Sequence, residues 1–582
     1  MNTLLRKTLF VALFLLAAIG ASAYDFEYEG AYYDVVSSTG MTCEITYKED
    51  SKETETYTGD FVVPETVEYN GNIYKVVRIG HDAFYKCSGL TSITIPEGVT
   101  SIGGWAFQFC TSLTSVTIPE SVTSIELWAF SGCSSLASVT IPEGVTSIRT
   151  FAFSGCSSLT SVTIPEGVTS IESSAFSDCS SLTSVTIPES VTSIGGFAFA
   201  FCSSLTSITI PKGVTSIGDC AFLNCSSLTS ITIPETVTSI SWNPFANCSS
   251  LREIIVDDEN PDFASIKGVL YSKDITDLYC YPAGLMETSF TIPRTVNSIK
   301  NYAFSGCVGL TEIVIPESVT SIGGNSFSEC RNLTSLAIPS SVTTIGQNAF
   351  SNCSSLTELS IPASVISMYQ WPVPGCDGLN SFNIEDCMTP LEIFINGGSF
   401  GNDFRELYIG RSIVLNDDSR NDEILVSKNM EKVTFSQFVT SVDDIGMDVA
   451  KGLKTVVSRG RIPPTIADDF FSLDQYNNAT LYVPKGAMQA YIEAPGWRYF
   501  YNIVEGMPTG ISQVKSATDR MTVTTDNEYI AISNAHGQVN VYDVSGVLIH
   551  SANADGNDLR IAVPGHGMYI VKAGGKTLKV AM

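Results

Sequence analysis

Cysteine, the most reactive side chain in this sequence, recurs at intervals of 23 residues. Cys87, Cys110, Cys133, Cys156, Cys179, Cys202, Cys225 and Cys248, then Cys307, Cys330, Cys353 and Cys376, hold one position in successive repeats. Thiols at regular spacing could form disulfides or bind a soft metal. Neither chemistry fits. Stacked repeats would place the twelve in a column of parallel side chains about 4.8 Å apart, and parallel Cβ vectors at that distance give poor disulfide geometry. The Cys-x-x-Cys or Cys/His clustering that zinc needs is missing. The column therefore reads as buried thiols acting as small hydrophobes. Cys43, Cys220, Cys280 and Cys387 stand off the column and could pair.

Other reactive groups are sparse. There are 4 histidines, His81, His536, His550 and His566, three of them near the C-terminus. No His-Glu-x-x-His, phosphate-binding glycine loop or Gly-x-Ser-x-Gly turn occurs. Glu97, Glu120, Glu143, Glu166, Glu189 and Glu235 form a like-charged edge broken by Lys212. It reads as a solvated ridge that discourages aggregation, with weak calcium-dependent binding as the alternative. The acidic run from Asp257 to Asp262 lacks alternating oxygen-ligand spacing and reads as a solvated turn; Asn553–Asp558 reads as another. No catalytic residue, cofactor or metal site is assigned, and the chain reads as a non-enzyme. A net charge of −28 argues against nucleic-acid partners and against anionic membranes.

One repeat position varies where its neighbours are uniform. Just before each Ala-Phe or its equivalent stand Trp105, Trp128, Phe151, Ser174, Phe197, Cys220 and Asn243, then Tyr302, Asn325, Asn348 and, by position, Trp371. Trp105, Trp128, Phe151, Phe197, Tyr302 and Trp371 are the candidate binding face, since exposed aromatics in a row suit glycan stacking or peptide grooves. The other reading, that these rings pack over the neighbouring turn, stays open. By contrast the Ser and Thr columns, such as Ser115, Ser138 and Ser161 beside Thr117, Thr140 and Thr163, offer few anchors.

The elements that must carry these residues follow from the repeat itself, represented by Leu90, Ile93, Ile95, Pro96, Val99, Ile102, Ala106, Phe107 and Cys110. Ile93-Thr94-Ile95 alternates as a short strand, and Pro96 ends its ladder because proline has no N–H to donate. Val99–Ile102 is a second extended stretch. The three- and four-residue spacings of Ala106, Phe107, Cys110 and Leu113 predict a short helical turn. Such a unit cannot bury its apolar face alone, so the repeats must stack into a solenoid.

This lettering resembles the bacterial leucine-rich-repeat family typified by the BspA surface antigen of Bacteroidetes, whose repeat has the same length and the same "IP…VTSIG…AF…C…L" pattern. The resemblance implies a right-handed leucine-rich-repeat solenoid with a short parallel β-ladder. About sixteen rungs at about 4.8 Å would give a rod or gentle arc on the order of 80 Å. It also implies a non-enzymatic surface protein that adheres to host matrix proteins, other cells or host receptors.

The ends are read as follows. Arg6 and Lys7, the apolar run Leu9–Gly20 and Ala21-Ser22-Ala23 read as a signal peptide over residues 1–23, with no later membrane span. Residues 24–75 read as an N-terminal β cap, with an Asn70-Gly71 hairpin turn. Residues 76–378 are the repeats, with a variant rung at about 249–291 where Cys248 and Cys307 stand 59 residues apart. Residues 379–508 read as degenerate repeats and a C-terminal cap plugged by Met488, Tyr491 and Trp497, and 509–519 as a linker. Short alternating runs over 520–582 predict a small β-sandwich. Its Tyr542, Asp543, Gly546, Gly567, Tyr569, Ile570, Lys572 and Lys579 resemble the C-terminal sorting domain of the Bacteroidetes type IX secretion system. That resemblance implies export through the periplasm to the outer surface; otherwise the tail is a partner-facing β-module. The overall expectation is a secreted or surface-displayed monomer that binds extracellular proteins, other cells or glycans. A structural spacer rod or a glycan-capturing surface protein that uses the same aromatic column is the alternative.

Overall fold

The computed structural model describes residues 24–48, 57–369, 372–394, 404–416, 426–508, 522–525, 529–533, 536–543, 547–555, 559–563, 568–573 and 576–581. They fall into two compact units, one running up to residue 405 with 412–429, the other comprising 406–411 and 430 onward.

The first unit is a solenoid of parallel strands. It begins with the antiparallel strands Phe26–Tyr28, Ala31–Ser37 and Thr42–Thr46. Thr66–Tyr69 and Asn72–Ile79 then form a hairpin. Asn70 and Gly71 sit at φ 50 and 74, the two positive values that a tight I′ hairpin turn requires. Asn72–Ile79 pairs in parallel with Ser101–Ile102, so this sheet leads directly into the repeats.

Each regular rung contributes two short strands. Ser138–Thr140 lies beside Ser161–Thr163, and Ser147–Ile148 beside Ser170–Ile171, every residue opposite the one 23 places on. Val99, Ile102, Ala106, Phe107, Cys110 and Leu113 are fully buried, because one strict period points the same types inward on every rung. The phenylalanines from Phe84 to Phe245 form a stack with successive centroids 4.9 to 5.6 Å apart.

The expected helical turn is absent. Alternate N–H groups of Trp105–Cys110 follow two different courses. Those of Ala106, Gln108 and Cys110 bond back to the carbonyls of Gly103, Trp105 and Phe107. Those of Trp105, Phe107 and Phe109 reach forward to Leu127, Ala129 and Ser131 at 3.2, 2.7 and 2.8 Å. A helix keeps all its interior N–H groups within its own segment; here half of them join neighbouring rungs in a third ladder. The cost is left-handed backbone at two positions per rung, such as Trp105 at φ 54 and Phe109 at φ 61. The three-residue spacing that resembled a helix comes from the i→i−3 turn bonds.

Within the variant rung, Phe263–Ile266 and Val269–Ser272 form a hairpin, and Asp277–Cys280 rejoins the ladder beside Ser298–Ile299. The acidic run is a turn pinned by Asn260, which is fully buried. Its Nδ2 donates to the carbonyls of Pro234 and Val237 at 2.8 and 2.9 Å, and its Oδ1 accepts from the N–H groups of Asp262 and Phe263 at 3.0 and 2.8 Å. The third ladder bridges the insertion: Asn243 Nδ2 donates to the Tyr302 carbonyl at 2.8 Å, and Ser305 Oγ to Asn247 Oδ1 at 2.8 Å.

In the second unit, Lys432–Phe435, Thr455–Ser458, Thr480–Val483 and Asn502–Glu505 continue a parallel ladder. Helix Met488–Glu493 and the 3-10 turn Trp497–Tyr499 follow the third of these strands. Tyr491 and Trp497 are buried, while Met488 is only partly covered. The tail forms two small antiparallel sheets, one of three strands and one of four, over a core that includes Val523, Ile530, Val539, Val541, Ile561 and Val571.

Candidate binding face

The variable column is the first left-handed position of most rungs, Asn243 being an exception. Trp105, Trp128, Phe151, Ser174, Phe197, Cys220, Tyr302, Asn325 and Asn348 all have φ between 51 and 61. Aromatic residues are uncommon in that conformation. The backbone is held there from the next rung, for example by Trp128 N–H to Thr150 O at 3.1 Å and Phe151 N–H to Ser173 O at 3.1 Å.

The rings do not form one continuous stripe. Trp105 packs edge-on against His81, centroids 4.6 Å apart. Trp128 and Phe151 stack on each other at 3.9 Å with planes 11° apart. All three are half-buried. Ser174 and Cys220 are buried and break the column on either side of Phe197, which is 37% exposed. Tyr302 is half-buried and tilted against Trp242 at 6.2 Å. Trp371 lies outside the described residues.

A second left-handed column, immediately before each cysteine, escaped the sequence reading. It runs Lys86, Phe109, Gly132, Gly155, Asp178, Phe201, Asn224 and Asn247, with φ between 57 and 74. Its signal was the same as that of the first column, since it varies between uniform neighbours. Phe109 covers Gly132, where an added Cβ would lie 2.5 Å from the ring's Cδ1. Beyond Gly155 the column opens into a shallow hollow of about 620 Å³. Gly155, Asp178, Phe201 and Asn224 line it, together with the serine column Ser157, Ser180, Ser203 and Ser226. The four serine hydroxyls donate to carbonyls one rung back at 3.3 to 3.4 Å. Phe201 is 41% exposed.

The thiol column has no reactive character. The 15 cysteines other than the half-exposed Cys387 are buried, and all are free, including Cys43, Cys220 and Cys280. Most column thiols donate to a phenylalanine carbonyl 26 residues back, as Cys110 does to Phe84 at 3.0 Å and Cys133 to Phe107 at 3.1 Å, while Cys307 donates to the Tyr281 carbonyl at 3.6 Å. Burial pushes Cys156, Cys202 and Cys330 up to about 12, far from the thiolate that nucleophilic or metal chemistry needs. Among the described residues no cluster of three or more His, Cys, Asp or Glu could hold a metal ion, and no helix is long and apolar enough to cross a membrane.

In the tail, Tyr542 and Asp543 pair with Ile570 and Tyr569, and Ile570 pairs with Lys579, which brings five sorting-like positions onto adjacent strands. The Lys572 ammonium lies over the Tyr542 ring at 5.4 Å. Gly546 and Gly567 lie outside the described residues.

Stacked parallel rungs of this kind, with one apolar core and variable turn positions, define a leucine-rich-repeat solenoid. A family model described as BspA type Leucine rich repeat region, of six copies, matches residues 77–195, 146–266 and 277–397, together more than half of the sequence. The chain belongs to that family. It is similar to the crystal structure of a leucine rich cell surface protein from Faecalibacterium prausnitzii A2-165, with 27% identity, 76% of this chain and 96% of that chain covered, and a TM-score of 0.49. A leucine-rich repeat protein from Bacteroides ovatus ATCC 8483 shares 30% identity over 62% of this chain and 94% of its own, with a TM-score of 0.41. The pneumococcal vaccine antigen PcpA shares 19% over 84% and 99%, with a TM-score of 0.42. No curated protein matches the chain.

Proposed function

We propose that the protein is a non-enzymatic, surface-displayed binding protein that attaches to host extracellular proteins or to other cells. Its binding face is centred on the Trp128–Phe151 stack, with Trp105 beside it. Membership of the BspA type repeat family supports the class. The observation that carries the face is the backbone beneath these rings. Left-handed conformation costs a bulky residue on the order of 1 kcal/mol, and asparagine, serine and cysteine occupy the same position on other rungs. The ladder therefore does not need aromatic rings there, and their half-exposed placement is accounted for by recognition.

The test is a triple variant, Trp105→Ala, Trp128→Ala and Phe151→Ala, in the otherwise intact chain. Adhesion to immobilised extracellular-matrix proteins and to other bacterial cells should fall at least tenfold while far-ultraviolet circular dichroism is retained. Unchanged adhesion by a folded variant would favour the spacer-rod alternative.

We also infer that residues 1–23 are a signal peptide and that the tail, residues 520–582, is a sorting address for the outer surface. The division into a cap at 24–75, repeats at 76–378, degenerate repeats at 379–508 and a linker at 509–519 belongs to the same reading. Deleting residues 511–582 should trap the protein in the periplasm. Normal surface display after that deletion would exclude the sorting role.

A further inference from the structure

Three features lie outside the proposed adhesion face: the buried thiol column, the acidic edge, and the hollow on the second left-handed column. The thiols are inaccessible, and the acidic edge is an exposed ridge in which Lys212 pairs with Glu235 at 3.3 Å. The hollow combines a shallow opening, an exposed ring and polar side chains beside it.

We propose that this hollow binds a neutral glycan, with Phe201 as the stacking platform and Asp178 and Asn224 as the groups that read sugar hydroxyls. The three occupy the same position on consecutive rungs, at φ 61, 61 and 58, so they follow one another at the ladder spacing of about 4.8 Å. Phe201 therefore stands between a carboxylate and a carboxamide. A pyranose ring offers the matching pattern, an apolar C–H face bordered by hydroxyl groups. Aromatic rings in shallow sites recognise such faces by contact area with little loss of conformational freedom.

The polar groups are available. Asp178 is exposed, and its Oδ2 accepts the Ser177 hydroxyl at 2.8 Å, with no partner for Oδ1 among the described residues. The Asn224 carboxamide is half-buried at the edge of the hollow, and among the described residues no side-chain partner bonds it. The serine hydroxyls already donate to carbonyls, which leaves their oxygens as acceptors.

Two observations narrow the ligand. The N–H groups of Asp178, Phe201 and Asn224 are all spent on the next rung, to Ala200, Leu223 and Ala246 at 2.8, 2.7 and 2.9 Å. An extended peptide, which binds largely through main-chain hydrogen bonds, finds no free backbone N–H on these three residues. Asp178 and the net charge of −28 disfavour anionic sugars. An opening that runs along consecutive rungs suits several sugar units of an extended chain.

The site is distinct from the Trp128–Phe151 face, and the proposal does not depend on the adhesion reading. The test is calorimetric titration of the full chain with cellohexaose, mannohexaose, xylohexaose and laminarihexaose, with an oligogalacturonate as the anionic probe. At least one neutral oligosaccharide should bind, and the anionic probe should not. Phe201→Ala and Asn224→Ala should each weaken binding about tenfold or more, equivalent to about 1.4 kcal/mol. Gly155→Phe should abolish it by filling the hollow, and the fold should accept that change because Phe109 and Phe201 occupy the same position on other rungs. Phe109→Ala should leave binding unchanged. No binding by any neutral probe, or binding insensitive to both Phe201→Ala and Gly155→Phe in folded protein, would overturn the proposal.

Discussion

The rings of Trp128 and Phe151, one rung apart, lie parallel with centroids 3.9 Å from each other. Each residue holds the left-handed backbone position of its rung, at φ 61 and 57. The pair is thus fixed twice, by the backbone ladder beneath it and by the contact between its faces.

This contact should appear as energetic coupling. A double-mutant cycle of Trp128→Ala and Phe151→Ala, followed by chemical denaturation, should give an interaction of about 0.5–1.5 kcal/mol. The same cycle with Trp128→Ala and Phe197→Ala should be additive, because those residues stand three rungs apart and share no contact. Additivity in the first cycle would show that the stack contributes nothing beyond the burial of each ring.

The thiols set the response to pH. An ordinary cysteine ionises near 9.0, whereas burial raises Cys156, Cys202 and Cys330 to about 12. A raised folded-state value means that the unfolded chain loses its protons first. The stabilisation is therefore complete below pH 9 and is lost as pH rises from 9 towards 12, by about 1.4 kcal/mol per thiol for each pH unit. Thermal unfolding followed between pH 7 and 11 should show a flat region and then a steep alkaline decline. At pH 8, iodoacetamide should modify Cys387 first and leave the column unmodified until the chain unfolds. Early alkylation of Cys156 would contradict its burial.

Asn260 closes the turn that opens the variant rung. Asn260→Ala would leave two carbonyls and two N–H groups in a buried site without these partners, at a cost of roughly 3 kcal/mol or more. Limited proteolysis should then cut residues 257–280 well before the flanking rungs. Asp258→Asn, in the same acidic run but with an exposed side chain, should change the melting temperature little. If Asp258→Asn destabilised as much as Asn260→Ala, the run would have a charge-dependent role that its geometry does not show.

Much of this architecture is legible in the sequence. The period of 23 gives the register of both strand ladders, because residues at equal positions stack. The uniformity of Ile, Val, Phe, Leu and Cys identifies the core, and parallel side chains at rung spacing exclude a disulfide ladder. The tight spacing of turn and strand residues near the C-terminus likewise announces small antiparallel sheets. Variation among uniform neighbours marks Trp105, Trp128 and Phe151 as positions that the scaffold does not dictate.

Only the tertiary structure decides what those positions do. Periodicity reports which side chains face inward, but it does not report where a backbone N–H finds its acceptor. A helix and the observed turn ladder place Ala106, Phe107 and Cys110 at similar spacings. They differ because Trp105, Phe107 and Phe109 donate to the next rung, which requires left-handed backbone at Trp105 and Phe109. The covering of Gly132 by Phe109 and the hollow beyond Gly155 follow from that choice. Both depend on contacts between residues 23 or more positions apart, and those contacts exist only once the rungs are stacked.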